Sequence, residues 1–542
     1  MGPRAEINTP HRPAEPPGLG PATWWTVAAL AAVRLAIVLF GPYNLSPDEA
    51  YFWEWSRHPA FGYYDQGPMV AWAIRAFTLL LGDTEPGVRA GALAMGSATL
   101  LLLASLVRRL GGSRRAGCLA VLAVSLTPLG QLNAIVMTYY LPQLVLWALV
   151  MHTLWELRGG AGDTAARGAA TAPAHGADRP AGAPRAWLAL GLWLGLGGLT
   201  HHTFLWLGLV AAAWLIATPA TRRAFTGPWP YVAALVAVAV VSPYLAWNAQ
   251  HDWVGLRHAL GLVRVETPTW RGIRWGGVAY YVEGQFAVLT PVYFASALVA
   301  IGSAAARARR DDGARLLALG TWPLFAYVAT LAFAGRSEAN WTSAATLGLA
   351  AAWALRVDAA WARRGWMPLV VPAALGTALA LTLAAHGAPL FWSLGGDASR
   401  PDRDPLHRLH GWRRLGEEVY AARRALAGPT PAVAATVDDY AIPAELSFYA
   451  PDHAPTWCPP IGRRHHQYDF WAPGAPPPGG SAVWVTRSPL AGDDPVRGLF
   501  RVWSAAREVP IVEPWTGVVR RRFYLYECRG FLGVPQDRLR EF

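Results

Sequence analysis

The sequence contains no lysine: its 47 cationic side chains are all arginine, set against 35 acidic ones. It is also short of charge altogether. Only 15% of its 542 residues are charged, where a soluble domain carries about 25%. With a mean hydropathy of +0.23, that deficit excludes an ordinary soluble globule and makes a bilayer the solvent for much of the chain. A formal charge of +12 can signal a nucleic-acid partner. Here, however, many arginines sit in short clusters between apolar runs, which is the pattern of membrane topology, so no nucleic acid is expected. Cysteine is scarce. Cys118, Cys458 and Cys528 show no metal-ligand spacing. Cys118 reads as inert core. Cys458 and Cys528 share a C-terminal segment and could bridge in an oxidising compartment. Residues 1–21 lack the layout of a signal peptide, so a polar cytoplasmic tail and a retained first helix are expected. No repeat of fixed period is present.

What is there is a series of apolar runs, and a span needs about 20 such residues. Segments 24–40, 87–107, 116–133, 142–157, 186–200, 203–217, 230–247, 286–304, 315–334, 342–356 and 367–385 predict about eleven spans within a membrane unit over 22–386. With the N-terminus inside, the cytoplasmic loops hold Arg108, Arg109, Arg114, Arg115, Arg222, Arg223, Arg307, Arg309, Arg310, Arg363 and Arg364 among others, whereas the short outer loops hold only Arg336. The longer outer loop 248–285 is an exception, with Arg257, Arg264, Arg271 and Arg274. Gly159 to Pro184 reads as a flexible cytoplasmic linker. The large first outer loop, 41–86, includes the short apolar stretch Pro68 to Leu81, expected to lie at the interface. Residues 387–542 contain no spanning segment. Strand-like runs at Ala432–Val437, Ser481–Thr486 and Arg522–Cys528 alternate with helical stretches at Leu406–Ala427 and Ala444–Tyr449, which predicts a small extracytoplasmic α/β domain.

Chemistry concentrates in the first outer loop. Ser46-Pro47-Asp48-Glu49 opens a helix just after the first membrane segment and continues as Ala50-Tyr51-Phe52-Trp53-Glu54-Trp55-Ser56. A helix cap beside an interfacial aromatic belt would explain these residues on structural grounds alone. The functional reading is a carboxylate at the membrane surface acting as general base toward an acceptor hydroxyl. Gly62-Tyr63-Tyr64-Asp65-Gln66-Gly67-Pro68 adds a further acid.

The stretch from Asp48 to Arg89 resembles the first outer loop of glycosyltransferase family 39, the bacterial relatives of the protein O-mannosyltransferases, and is similar to the aminoarabinose transferase of lipid A. Further elements follow in the family's order: Gly195 to Thr200, Ser242-Pro243 to Asn248, His251-Asp252-Trp253, Gly284-Gln285, Glu338-Ala339-Asn340-Trp341, and in the C-terminal segment Gly411-Trp412, Asp439-Tyr440, Phe448-Tyr449 and Gln467 to Trp471. The resemblance implies a mostly α, polytopic C-type glycosyltransferase fold in a bacterial inner membrane and a polyprenyl-phosphate sugar as donor. It also implies an envelope glycan, lipid or protein as acceptor, with inversion at the anomeric centre. Asp48 matches the catalytic acid, Glu49 would support it, and Asp65 matches a second acid of the loop. The chain departs from the pattern at Gln66-Gly67, where His-Pro is frequent. It departs again at Tyr140 and Gln143, near an expected Asp, and at His201, where Lys usually follows Thr.

A lipid phosphate needs cations, and arginine meets phosphate with paired hydrogen bonds. Arg336 is the foremost candidate, because the positive-inside bias disfavours it where it stands; as a plain interfacial residue it would simply snorkel. Arg57, Arg75, His201 and Asn340 are the further donor-site candidates. Arg89 could instead pair with Asp83 or Glu85. His201 and His202 lack a third ligand and read as polar turn residues, so no metal or other cofactor is indicated. A transporter or flippase of a lipid-linked precursor would share the helix count and basic loops. It would also be expected to carry ionisable groups at mid-membrane depth and inverted repeats. A non-catalytic polymer-binding protein is a third reading.

Overall fold

The computed structural model describes residues 18–167, 184–263, 274–395 and 406–534, apart from Ala334, Arg336, Arg364, Ala427, Pro429 and residues 472–473, 513–516 and 518. The chain is mostly helical. Helix α1 (Pro21–Phe40) begins with proline at its first turn, where the missing N–H is no loss. Helix α2 (Pro47–Arg57) is fixed by a full capping box: the Ser46 hydroxyl accepts from the Glu49 amide, and the Glu49 carboxylate accepts from the Ser46 amide. Helix α3 (Met69–Leu81) is the expected short amphipathic piece, exposing Leu79, Leu80 and Leu81. Helix α4 (Glu85–Arg109) starts at Thr84, whose hydroxyl accepts from the Gly87 amide, and ends on Arg108 and Arg109, which suit the negative end of the helix.

The expected spans fall on helix, but not every one on a single straight helix. Among the described residues five helices are long and apolar enough to cross a membrane, and the number rises to eight if three sharply bent pairs are each one span. The bends lie between Arg114–Ser125 and Pro128–Ile135 (81°), between His202–Ala217 and Pro219–Thr226 (91°), and between Trp275–Leu289 and Pro291–Arg307 (103°). A proline opens the second helix of each pair, removing the hydrogen bond that would carry the helix straight through. The expected span 286–304 therefore straddles a break at Thr290, which takes φ +68°. The outer connection expected over 248–285 carries helix Val254–Val263 and most of helix Trp275–Leu289. The helix expected to end at 157 runs on to Arg167; the remainder of the anticipated linker, 168–183, lies outside the described residues. Helix Pro184–Gly198 packs on helix Trp229–Gln250 at a glycine-lined face. A methyl group added at Gly191 would sit 2.4 Å from the Ala233 carbonyl oxygen, and one at Gly195 would sit 2.6 Å from the Val240 Cβ, as in small-xxx-small membrane packing.

The last apolar helix runs Val371–Gly395, past the boundary expected at 387. The segment beyond 406 forms a sheet of five strands: β1 (Val433–Ala435), β2 (Ser481–Thr486), β3 (Phe500–Trp503), β4 (Arg507–Val512) and β5 (Val519–Phe531). Strand β1 pairs parallel with β2, and β2 pairs antiparallel with β5. Strands β3 and β4 both pair antiparallel with β5. Helices Trp412–Leu426 and Ala441–Tyr449 complete the layer. Cys458 and Cys528 are unpaired and buried. Cys458 Sγ lies against the His466 Nε2, at 3.8 Å, whereas Cys528 is inside β5, so the bridge that the sequence left open is absent.

This small domain does not stand apart from the membrane unit. Leu45, Trp53, Trp55, Tyr63, Val70 and Ile74 of the segment 41–86 share one buried cluster with Leu446, Phe448, Tyr449, Val483 and Phe523 of the C-terminal segment. Backbone and side-chain bonds cross the seam: Asn44 N to Leu409 O at 2.8 Å, Leu45 N to the Tyr449 hydroxyl at 2.6 Å, Trp412 N to Asn44 Oδ1 at 2.9 Å, and Tyr64 N to Gln467 Oε1 at 2.6 Å.

Candidate active site

The two adjacent acids of α2 meet opposite environments. Glu49 is fully buried. Its Oε1 accepts from Arg89 Nε and Met137 N, both at 3.0 Å, and its Oε2 accepts from Arg89 Nη2 at 3.0 Å and Ser46 N at 2.8 Å. With every lone-pair direction engaged, this carboxylate can hold α2 in place but has no free oxygen for a substrate. Arg89 also bonds the carbonyls of Tyr43 and Asn44. It therefore clamps the chain entering α2 and does not pair with Asp83 or Glu85. Asp83 instead accepts from the Trp53 indole, and Glu85 from Asn44, Tyr449 and Arg413.

Asp48, one residue earlier on the helix, points away from this clamp and is exposed in the cleft between α2 and the C-terminal segment. Its Oδ1 accepts from the Tyr440 hydroxyl at 2.7 Å. Protein surrounds the cleft closely enough that loss of bulk water raises the carboxyl's pKa. The Tyr440 hydrogen bond and the positive charge of Arg408 oppose that rise, and the charges of Asp65 and Glu49 add to it. Asp65 is reached from the same helix: the Tyr51 hydroxyl, one turn on from Asp48, donates to its Oδ2 at 3.0 Å. The Tyr51 hydroxyl in turn accepts from the Gln467 amide at 2.7 Å. His258 Nε2 and Arg464 Nη2 lie 3.5 and 3.9 Å from Asp65 Oδ1. The rings of Tyr51 and Tyr440 are stacked, with centroids 4.5 Å apart, so the two acids are joined through one aromatic pair.

Beside this cleft opens a cavity of about 690 Å³. Ile37, Leu129, Leu132, Ile135 and Val288 line its apolar part, while Tyr43, Glu338, Asn340, His386 and Arg408 give it a polar margin. A long hydrocarbon with a polar head matches that division, with Glu283 and Glu338 sharing the margin with Arg408.

The structure sorts the sequence-derived candidates. Asp48, Glu49 and Asp65 come together. Asn340 lines the cavity. His201 stacks on Tyr139, with centroids 4.2 Å apart, and its Nδ1 lies 2.9 Å from the Thr203 hydroxyl, so it is engaged locally. Arg57 donates to the His453 carbonyl at 2.8 Å and lies 3.7 Å from Glu54, which makes it part of the seam between the domains and not a group facing the cavity. Arg75 is exposed on α3 and does not line the cavity. Arg336 lies outside the described residues. Arg408, Tyr440, Tyr51 and His258 were not singled out in the sequence. Tyr51 had a signal, its spacing of one turn from Asp48; Tyr440 had its place in the Asp439-Tyr440 element; Arg408 had none.

Residues 65–158 and 177–247 match the family described as dolichyl-phosphate-mannose-protein mannosyltransferase. The resemblance to glycosyltransferase family 39 holds. The lipid A galacturonosyltransferase RgtD of Rhizobium johnstonii is 27% identical over 311 residues, 57% of this chain and 59% of that relative's length. ArnT from Cupriavidus metallidurans, in the apo state, is 15% identical, covers 95% of this chain and 100% of its own, and superposes with a TM-score of 0.58. The same protein bound to undecaprenyl phosphate gives a TM-score of 0.55 over the same shares. The chain therefore has the C-type glycosyltransferase fold, with a small sheet domain at its C-terminal end.

Proposed function

We propose that this chain is a membrane glycosyltransferase. It takes a sugar from a polyprenyl-phosphate donor and passes it, with inversion, to an acceptor hydroxyl or phosphate of the cell envelope. The observation that carries the reading is the placement of Asp48. It is the one acid of its helix that is left accessible, it is held by hydrogen bonding at one oxygen only, and Arg408, whose charge bears on it, lines a cavity whose apolar walls suit a lipid chain. The 27% relative makes a galacturonosyl group the first donor sugar to test and lipid A the first acceptor.

In this reaction the phosphate leaves with the electron pair of its bond to the anomeric carbon, so no strong general acid is required. Asp48 takes the acceptor proton as the new bond forms on the opposite face. Glu49 holds Asp48 through the helix, and Asp65 with Tyr51 orders the far side of the cleft. Arg408, with Arg336, is assigned to the donor phosphate. For an acceptor that is already an ionised phosphate, Asp48 would orient it and not deprotonate it.

The first test is mass spectrometry of envelope glycolipids with and without the protein. The second is Asp48→Asn, which keeps shape and removes basicity. Loss of about 10²–10⁴ in turnover, with binding of undecaprenyl phosphate retained, is expected. Wild-type turnover by the folded Asp48→Asn variant refutes the assignment. A flippase predicts movement of the lipid without a change in any glycan.

A further inference from the structure

The C-terminal domain contributes a side chain directly to the cleft. Tyr440 immediately precedes helix Ala441–Tyr449, and that helix is buried along its whole length against α2 and its neighbours. The position of the tyrosine is thus set by packing between the domains. Its hydroxyl donates to Asp48 Oδ1 at 2.7 Å, and its ring lies flat on Tyr51, with an interplanar angle of 24°. Tyr51 is itself fixed at its hydroxyl by the Gln467 amide, from the same C-terminal domain. Among the described residues Asp48 has no other hydrogen bond from a side chain, and its Oδ2 accepts none.

We propose that Tyr440 is a positioning residue for Asp48. By holding Oδ1 it fixes the carboxylate's rotation and leaves Oδ2 to receive the acceptor proton. The inference rests on the reading of Asp48 as the base. During transfer the tyrosine keeps its own proton: the acceptor O–H proton passes to Asp48, and the leaving electron pair goes to the donor phosphate. The domain seam thereby becomes part of the catalytic apparatus, because the base is correctly aimed only when the C-terminal domain is docked.

The charged and titratable groups that bear on Asp48 are Arg408, Asp65, Glu49, Tyr139, Tyr140 and Tyr440. Of these only Tyr440 is bonded to it. A hydrogen bond to the ionised form favours that form, so its removal moves protonation of Asp48 to higher pH. A base that protonates at higher pH loses activity sooner on acidification. The acid limb of the rate profile should therefore move up.

The experiment is a pH profile of initial rate, from about pH 5 to 9, for the product that mass spectrometry assigns to the wild-type chain. Membranes bearing the full-length protein are used. Tyr440→Phe removes one oxygen and keeps the stacked ring. Tyr468→Phe is the control, since Tyr468 belongs to the same buried cluster but its hydroxyl has no hydrogen-bond partner among the described residues. Expected for Tyr440→Phe are an acid limb shifted upward by about one pH unit, a roughly tenfold fall in kcat and an unchanged donor KM; Tyr468→Phe should match the wild type. A Tyr440→Phe profile that overlays the wild type, with Asp48→Asn inactive, overturns the role of Tyr440 and leaves Asp48 as base. Wild-type turnover by Asp48→Asn overturns both.

Discussion

Glu49→Gln isolates the structural half of the acidic pair. The wild-type carboxylate accepts four hydrogen bonds, two of them from Arg89, and both partners are sealed from solvent, at 0% and 2% exposure. Glutamine keeps the shape but offers one acceptor oxygen. Its amide nitrogen must face two donors, either Ser46 N with Arg89 Nη2 or Met137 N with Arg89 Nε. It also leaves the guanidinium without its counter-charge. Removing one member of such a buried pair costs about 3–5 kcal/mol. Thermal unfolding in detergent, followed by the summed fluorescence of 28 tryptophans that include Trp53 and Trp55 of the buried cluster next to this clamp, measures the loss. Turnover should fall with it, because the helix that presents Asp48 is no longer fixed. A second arm separates charge from packing: Glu49→Leu combined with Arg89→Met leaves no orphaned charge and should recover part of the stability lost by Glu49→Gln. If Glu49→Gln unfolds within about 1 kcal/mol of the wild type, the clamp does not hold the loop and the division of labour between Asp48 and Glu49 is wrong.

Two further expectations concern the cations and the topology. Arg408→Ala and Arg336→Ala should each weaken use of the polyprenyl-phosphate donor, by roughly 2–4 kcal/mol if the contact is desolvated when the donor is bound; an unchanged donor dependence of initial rate removes that arginine from the site. Reporter fusions at Ala170 and Gly480 should mark opposite faces of the membrane, the first cytoplasmic and the second not, as the loop charges require; the same face for both would sink the topology.

The first loop was legible because its signals are local. Ser46, Pro47 and Glu49 specify a capped helix by neighbours three residues apart, and the helix so started turns Asp48 about 100° away from Glu49. The strands at Ser481–Thr486 and within Val519–Phe531 were readable from β-rich runs, whereas β3 and β4 were not, since Phe500–Trp503 is short and Arg507–Val512 carries charge and a proline. The breaks at Pro128 and Pro291 have a local signal as well, but hydropathy averages across a proline and so merges two helices into one run, whereas the expected span 203–217 stops short of the break at Pro219. Arg89 illustrates the limit most clearly. Asp83 and Glu85 lie nearer to it in sequence, yet its partner is Glu49, forty residues earlier, because the fold brings the start of α4 under the start of α2. Arg408 and Tyr440 reach the cleft only through the seam between domains, and no spacing within the chain encodes that seam.

The seam yields a last prediction. Residues 387–542 read from the sequence as a separate domain, but the apolar side chains of α2 are buried against it. Tyr51, Trp53 and Trp55 are 2%, 0% and 0% exposed, and the Trp53 ring meets Phe448 edge-on at 4.9 Å. Each large side chain of this kind contributes about 1.5–3 kcal/mol when taken out of water. A chain ended after Gly395 would expose several of them together and strip Tyr440, Gln467 and Arg408 from the cleft. The first outer loop of such a chain should be cut by added protease at sites protected in the full-length protein, while the membrane helices remain resistant, since α4 and the apolar helices after it pack among themselves. A separable domain would instead leave the loop equally protected in both chains. That result would mean the shared cluster does not order the loop, and the contact between Tyr440 and Asp48 would then have to arise from a docking weaker than the buried surface implies.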